Sequence, residues 1–341
     1  MPATPLQTDV AIVGAGPVGL FAVFECGMLR MRCHVIDALE VAGGQCAALY
    51  PEKPIYDIPG YPRIGAAELI ERLQEQAAPF APTYHLDQRV EAMTRRGERW
   101  RLTTSKGRVI EARAVIIAAG VGAFGPNRPP LQDLEHYEGR SVFYAVTKPE
   151  SFRGQRVVIA GGGDSALDWS ILLAEVTEKL YVIHRRAKFR GAPESVARLH
   201  ALAEAGKIEL VVPYQLHRLE GDSASGRLSA VVVRDLEGGE RRLEAEVLLP
   251  FFGLSMNLGP IAEWGLALHR GQVSVEPATC ATSLPGVFAV GDIADYPRKL
   301  KLILTGFAEA AAAAHAIHPL VHPGEELHWE YSTTKGVPAA E

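Results

Sequence analysis

A strand, a glycine turn and a helix in immediate succession limit what this chain can fold into more than any other stretch. Residues 9–13 (DVAIV) are a short apolar run of strand formers, followed at once by Gly14-Ala15-Gly16-Pro17-Val18-Gly19. Val18, Phe21, Phe24 and Met28 then repeat near helical spacing through residues 20–30. This order suits a dinucleotide. Gly14 permits the tight turn, Gly16 lets a pyrophosphate approach the backbone, and Gly19 lets the helix pack on the strand. The helix N-terminus faces the phosphate with free N–H groups and a partial positive charge, and Pro17 joins the three glycines as a candidate contact. A second strand, 33–36, ends in Asp37, eighteen positions after Gly19. A carboxylate there can accept hydrogen bonds from ribose hydroxyls.

The pattern returns later. Residues 156–160 form a second buried strand leading into Gly161-Gly162-Gly163-Asp164-Ser165-Ala166 and a helix over 166–176. Gly14 to Gly120 spans 106 positions and Gly161 to Gly253 spans 92, with the same order of elements inside each. Such an internal duplication implies two nucleotide-binding units of one plan. The expected class is α/β, with two tandem Rossmann-like three-layer domains. The section 254–341 is too short for a third copy and is expected to complete the first. The first domain is then 1–120 with 254–341, the second 121–253, and the passages near 120–125 and 251–259 act as a paired hinge.

Between these landmarks, residues 41–50 read as a loop too glycine-rich for a helix, and 51–62 as an irregular excursion. Residues 66–78 read as an amphipathic helix with Leu69, Ile70 and Leu73 on one face. Strands are expected at 100–104, 109–111 and 114–118, then at 180–183, 208–212, 229–234, 240–244 and 247–251. Helices are expected over 194–205 and 305–317.

With 341 residues the chain has room for about two domains, since one core seldom grows past roughly 250–300 residues. A net charge of −5 argues against nucleic acid as the main partner. No signal peptide is visible, and no apolar run reaches the roughly twenty residues of a membrane helix. Cys26, Cys33, Cys46 and Cys280 form no C-x-x-C pair, which suits reduced thiols in the cytoplasm. His315, His318, His322 and His328 invite a metal reading, but Pro319 and Pro323 are expected to break any helical face, so no metal is assigned.

The two units differ in sign. Asp37 would repel a phosphate on its ribose, so the first unit suits FAD or NAD. In the second, the equivalent strand ends at His184-Arg185-Arg186, with Lys188 and Arg190 behind. His184 lies 21 positions after Gly163, at the distance of a 2′-phosphate. Guanidinium groups bind phosphate bidentately. The second unit therefore suits NADPH, with Gly161, Gly163, Asp164, Ser165, His184, Arg185, Arg186 and Arg190 as its contacts.

Two tandem units, the loop Gly43-Gly44-Gln45, the His-Arg-Arg strand end and a late Gly291-Asp292 resemble the thioredoxin-reductase family of flavoproteins. The resemblance covers nearly the whole chain. It implies FAD in the first unit, NADPH in the second, and Asp292 on the flavin's ribityl chain. The helix over 305–317 would aim its positive end at the flavin's pyrimidine edge.

Two departures from that family bear on function. Where its members carry a C-x-x-C dithiol, this chain has Ala145-Val146-Thr147-Lys148, so dithiol exchange there is excluded. Cys46, beside the flavin loop, lacks a resolving partner and reads as packing. The tail Trp329-Glu330-Tyr331-Ser332-Thr333 resembles the ferredoxin–NADP reductases of thioredoxin-reductase-like type. That resemblance implies Tyr50 and Tyr331 stacking on the two flavin faces, with Gln45, Gly44, Val90, Phe124 and Thr333 also contacting FAD. No side chain need act as acid or base, since the flavin carries the chemistry. Ferredoxin, or flavodoxin in its place, is the implied partner, and a homodimer the implied assembly. Arg298-Lys299-Leu300-Lys301 is the expected docking patch for an acidic partner. The alternatives are an NADPH diaphorase or oxidase serving quinone, oxygen or another disulfide protein, and a flavin-binding interaction protein without turnover.

Overall fold

The computed structural model describes residues 4–325 and Gly336. The chain divides into two compact units, 1–124 with 256–341, and 125–255. The first opens with strand β1 (Leu6–Val13), helix α1 (Pro17–Met28) and strand β2 (Cys33–Ile36). A short helix α2 (Gly44–Ala48) follows, in the stretch expected to be too rich in glycine for one. Gly43 and Gly44, at φ 126° and 56°, take up the sharp turn and leave Gln45-Cys46-Ala47-Ala48 free to coil. Helix α3 (Ala66–Ala77) is amphipathic as expected, with Leu69, Ile70 and Leu73 buried. Strands β3 (Thr83–His85), β4 (Val90–Arg96), β5 (Arg99–Thr104) and β6 (Val109–Ile117) complete this half. β6 is one strand where two pieces were expected. Its polar Glu111 and Arg113 alternate with buried Ile110, Ala112 and Ala114, a period the two-piece reading broke.

The second unit runs β7 (Arg156–Ala160), α4 (Asp164–Leu173), β8 (Lys179–Ile183), α5 (Pro193–Glu204) and β9 (Glu209–Val211). Strands β10 (Gln215–Asp222), β11 (Arg227–Arg234), β12 (Glu240–Glu244) and β13 (Val247–Pro250) follow. β10 went unseen in the sequence because register shifts between Leu216 and Arg218 and between Glu220 and Gly221 break its alternation. The chain then returns to the first unit with β14 (Val287–Ala289) and α6 (Ile303–Val321). α6 continues through Pro319, which was expected to stop it. A proline in the last turn removes a single backbone donor, and Ile317 and Val321 on either side are buried.

The two sheets follow one plan. In the first unit the order is β3-β2-β1-β6-β5-β4, parallel from β3 to β6, with β14 parallel to the end of β6. In the second the order is β9-β8-β7-β13, all parallel, with β10-β11-β12 as a separate antiparallel meander. Alternation along β1 feeds two cores. Val10 and Ile12 pack with Leu20, Val23, Leu69 and Ala310 from the helices, and Ala11 and Val13 with Met93, Trp100, Leu102 and Trp264. Three layers result. Each fully buried aliphatic side chain contributes about 1.5–3 kcal/mol. The passages between the units, Ala123–Pro126 and Leu254–Asn257, pair as a two-stranded ribbon. Among the described residues no helix is long and apolar enough to cross a membrane.

Candidate nucleotide-binding sites

In the first unit the glycines are placed by close approaches. A Cβ on Gly14, at φ 114°, would lie 2.4 Å from the Ala118 carbonyl oxygen, and one on Gly19 would lie 2.0 Å from that of Gly14. Neither position accepts a side chain. Gly16 has open space on its Cβ side, bounded only by the Gly44 Cα at 4.0 Å. The two bare backbones leave an approach that any side chain would fill. Pro17 is the first residue of α1, where its missing donor costs nothing.

Asp37 locks this turn as well as facing it. Its Oδ2 accepts the Ala15 N–H at 2.6 Å and its Oδ1 the Leu39 N–H at 2.8 Å. Burial pushes its carboxyl up, and these backbone donors oppose the shift. Each oxygen keeps a lone pair for a ribose hydroxyl. Gln45 reaches Gly120, whose Cβ would stand 3.6 Å from the Gln45 amide nitrogen. Tyr50 is half-buried and receives the Cys46 S–H at 3.8 Å. Burial raises the Tyr50 hydroxyl far above its ordinary range, so the ring is a neutral phenol. The Cys46 thiol is raised by burial too and is no ready nucleophile. Val90 has its side chain in the core, so what it can offer a ligand is backbone. Phe124 lies in the ribbon, its side chain outside the described residues, as are Tyr331 and Thr333.

Asp292 sits in a 3-10 turn, Gly291–Ile293, at the end of β14. Its carbonyl accepts the Gln272 amide at 2.6 Å. Burial raises its carboxyl while Lys299 and Lys301 pull it down. Beside it lies a network that the sequence reading missed. Glu309, on α6, accepts the Gly291 N–H at 2.7 Å, the Tyr296 hydroxyl at 2.7 Å and the Lys299 ammonium. The Lys299 and Glu309 side chains are 4% and 5% exposed. Lys299 is therefore no docking residue, contrary to expectation. A long cation finds a buried partner here, and only Arg298, Leu300 and Lys301 of that patch are exposed. The available signal was Glu309 itself, the one charge in the run TGFAEAAAAAHAI.

In the second unit Gly161 donates to the Ile183 carbonyl at 3.0 Å, as Gly14 does to Ile36 at 2.8 Å. The equivalent turn is closed by a ring in place of a carboxylate. His184 is 7% exposed and stacks on Phe189 at 5.4 Å. A Cβ on Gly162 would meet its imidazole at 2.4 Å. Burial lowers the His184 pKa, helped by Arg190, Arg185 and Arg186, and its buried Nε2 has no partner among the described residues. The neutral ring shapes the turn from below. Charge comes from Arg185, Arg186, Lys188 and Arg190, which are exposed and form no ion pair among the described residues. The Arg190 N–H donates to the Gly162 carbonyl at 2.7 Å, and Asp164 accepts the Ala192 N–H at 2.9 Å, fastening this basic loop to the turn. Asp164 therefore acts on the loop. Gly163 caps α4 with nothing within 4 Å of a Cβ, and Ser165 is exposed in its first turn. An open glycine cap beside four unpaired cations fits a phosphorylated nucleotide.

All four cysteines are free and buried. Among the described residues the clustered metal-type side chains are Asp133, Glu135 and His136, all exposed, and the α6 histidines form no such group.

Residues 8–315 match the model of the pyridine nucleotide-disulphide oxidoreductase family. The chain is 65% identical to the ferredoxin–NADP reductase of Rhodospirillum rubrum over 98% of both chains. It is 65% identical to that of Paramagnetospirillum magneticum, over 97% of this chain and 98% of the relative. Among solved structures it is similar to Lactococcus lactis thioredoxin reductase, with TM-score 0.79, 23% identity, and 92% and 99% of the two chains covered. At that identity the likeness concerns the fold. The chain belongs to the pyridine nucleotide-disulphide oxidoreductase family, among its ferredoxin–NADP reductases.

Proposed function

We propose that this protein is an FAD-dependent oxidoreductase that carries electrons between NADPH and ferredoxin, in either direction. The observation that carries the mechanism is the pairing of two glycine turns with no usable thiol. All four cysteines are buried, and residues 145–148 hold no sulfur. A bound FAD supplies what the side chains lack, taking two electrons with a hydride and releasing them singly.

The residues supply position. The bare backbones at Gly16 and Gly44 admit the pyrophosphate of FAD, and Asp37 holds its adenosine ribose. Asp292 holds the ribityl chain, and Gln45 and Tyr50 line the same loop. The neutral Tyr50 phenol covers an apolar surface and excludes water without trading protons. Tyr331, Thr333, Val90 and Phe124 belong to this reading as further FAD contacts. In the second unit Gly161, Gly163 and Ser165 receive the NADPH pyrophosphate, while Arg185, Arg186 and Arg190 hold its 2′-phosphate. Asp164 and His184 keep those arginines in place. The reading includes a homodimer, a cytoplasmic location and flavodoxin as a substitute acceptor. The reduced thiols support the second of these.

The test is ferredoxin-dependent reduction of cytochrome c by the purified protein. NADPH should support it well and NADH poorly. Rates independent of ferredoxin would replace this function with a diaphorase, and an absence of flavin bleaching by NADPH would leave a binding protein.

A further inference from the structure

Glu309 gathers three donors that belong to one short loop. The Gly291 N–H lies at the start of that loop, and the Tyr296 hydroxyl and Lys299 ammonium lie at its end. The loop is thus closed on a single carboxylate, and Asp292 is the first residue inside it. Lys299 also stands 5.2 Å from the centre of the Tyr296 ring. The charges shape their neighbours. The Cys280 thiol is pushed up to about 12, first by burial and then by Glu309, with Lys299 opposing.

The same carboxylate joins the loop to the phosphate helix. Glu309 lies on α6 one turn beyond Gly306, where a Cβ would collide with Val18 at 2.4 Å and approach the Gly291 Cα at 3.3 Å. Val18 directly precedes Gly19 on α1. α6, the Asp292 turn and the first glycine turn are therefore in close packing, and the Glu309 bonds set where Asp292 stands. A buried pair of this kind adds little stability by comparison with an apolar pair, yet losing one partner leaves an uncompensated charge.

Given the FAD-dependent reading above, we propose that the buried Lys299–Glu309 pair is the positioning element of the flavin seat. Glu309 staples the loop that presents Asp292, and the balance between the two charges sets the field in which the flavin gains and loses electrons. Lys299 and Glu309 touch no reacting atom. They act through Asp292 and through the local potential.

The experiment compares wild type with Lys299→Met, Glu309→Gln, the double variant and Tyr296→Phe, each reconstituted with FAD. FAD affinity and the midpoint potential of the bound flavin are the readouts. Leaving a buried anion in Lys299→Met should lower the potential, and leaving a buried cation in Glu309→Gln should raise it. The double variant should return close to the wild-type potential, while Tyr296→Phe, which removes a hydrogen bond and no charge, should move it less than either single variant. Glu309→Gln and the double variant lose the charged acceptor for the loop and should bind FAD roughly tenfold or more weakly, a difference of about 1.4 kcal/mol. A merely structural role would not give shifts of opposite sign. Shifts of one sign, or none, in flavin-loaded single variants would overturn the proposal. Should a single variant hold no flavin, the double variant decides: FAD binding regained, short of wild type by the loss expected above, supports the pair as a unit, and a double variant worse than both singles overturns it. Wild-type protein that takes up no FAD would instead bring down the function proposed above, and this inference with it.

Discussion

The two units share a strand order and diverge in what closes the glycine turn. In the first, Asp37 spans the turn with two backbone hydrogen bonds and presents a carboxylate. In the second, the buried His184 ring occupies that place and exposed arginines surround it. A fold built twice supplies the same approach to a pyrophosphate each time, from bare glycines and a helix start. In the function proposed above, the residues at the end of the second strand then decide which nucleotide suits each copy. Architecture is common to both, and charge distinguishes them.

The largest effect should come from removing that distinction. A charge-assisted hydrogen bond is worth roughly 1.5–3 kcal/mol, so Arg185→Ala/Arg186→Ala should lower kcat/KM for NADPH by about 100-fold or more. The NADH rate and the FAD content should stay as they were. A variant that loses both substrates equally would show that the arginines serve the fold.

The common architecture has its own test. Ile12 and Ile159 each stand two residues before the first glycine of their turn, and both are fully buried. Ile12→Ala and Ile159→Ala should each cost about 2–5 kcal/mol in urea unfolding. A cost found in one copy alone would mean that the two cores are built differently.

Smaller effects sharpen the first unit. Asp37→Asn removes the charge and, because both carboxylate oxygens accept backbone N–H groups, leaves either Ala15 or Leu39 facing an amide NH2, so FAD affinity should fall by about tenfold or more. NADPH binding should not change. A second difference concerns acid. His85 is buried against His34, with Nε2 and Nδ1 3.0 Å apart, and its pKa falls to about 4, first through burial and then through His34 and Arg108. Because the folded pKa lies below the ordinary value of about 6.5, the unfolded chain takes the proton first. The stability tied to a neutral His85 is complete above pH ~6.5 and is lost as pH falls toward about 4. Thermal melts of His85→Gln should be flatter across that window than those of wild type. An unchanged slope would place the acid sensitivity elsewhere.

Much of this was legible in the chain because the turn motifs are local. Gly14, Gly16 and Gly19 lie within six residues, and the strand before and helix after them are read from the same short window. The return of the pattern at Gly161 announced the second copy. What escaped depends on partners distant in sequence. Glu309 is unremarkable in an alanine-rich helix until Gly291, Tyr296 and Lys299 are brought to it. Lys299 reads as a surface cation for the same reason. His184 reads as a phosphate ligand until the ring is seen packed over Gly162. The short helix at Gly44–Ala48 was hidden by its glycines, which form the turn ahead of it.

The most direct test of the account is an anaerobic titration of the FAD-loaded protein with NADPH, followed by oxidised ferredoxin or thioredoxin. Flavin colour should bleach with NADPH at concentrations where NADH leaves it intact, and it should return on adding ferredoxin and persist bleached with thioredoxin. Equal bleaching by the two nucleotides, or rapid recovery with thioredoxin alone, would contradict the account.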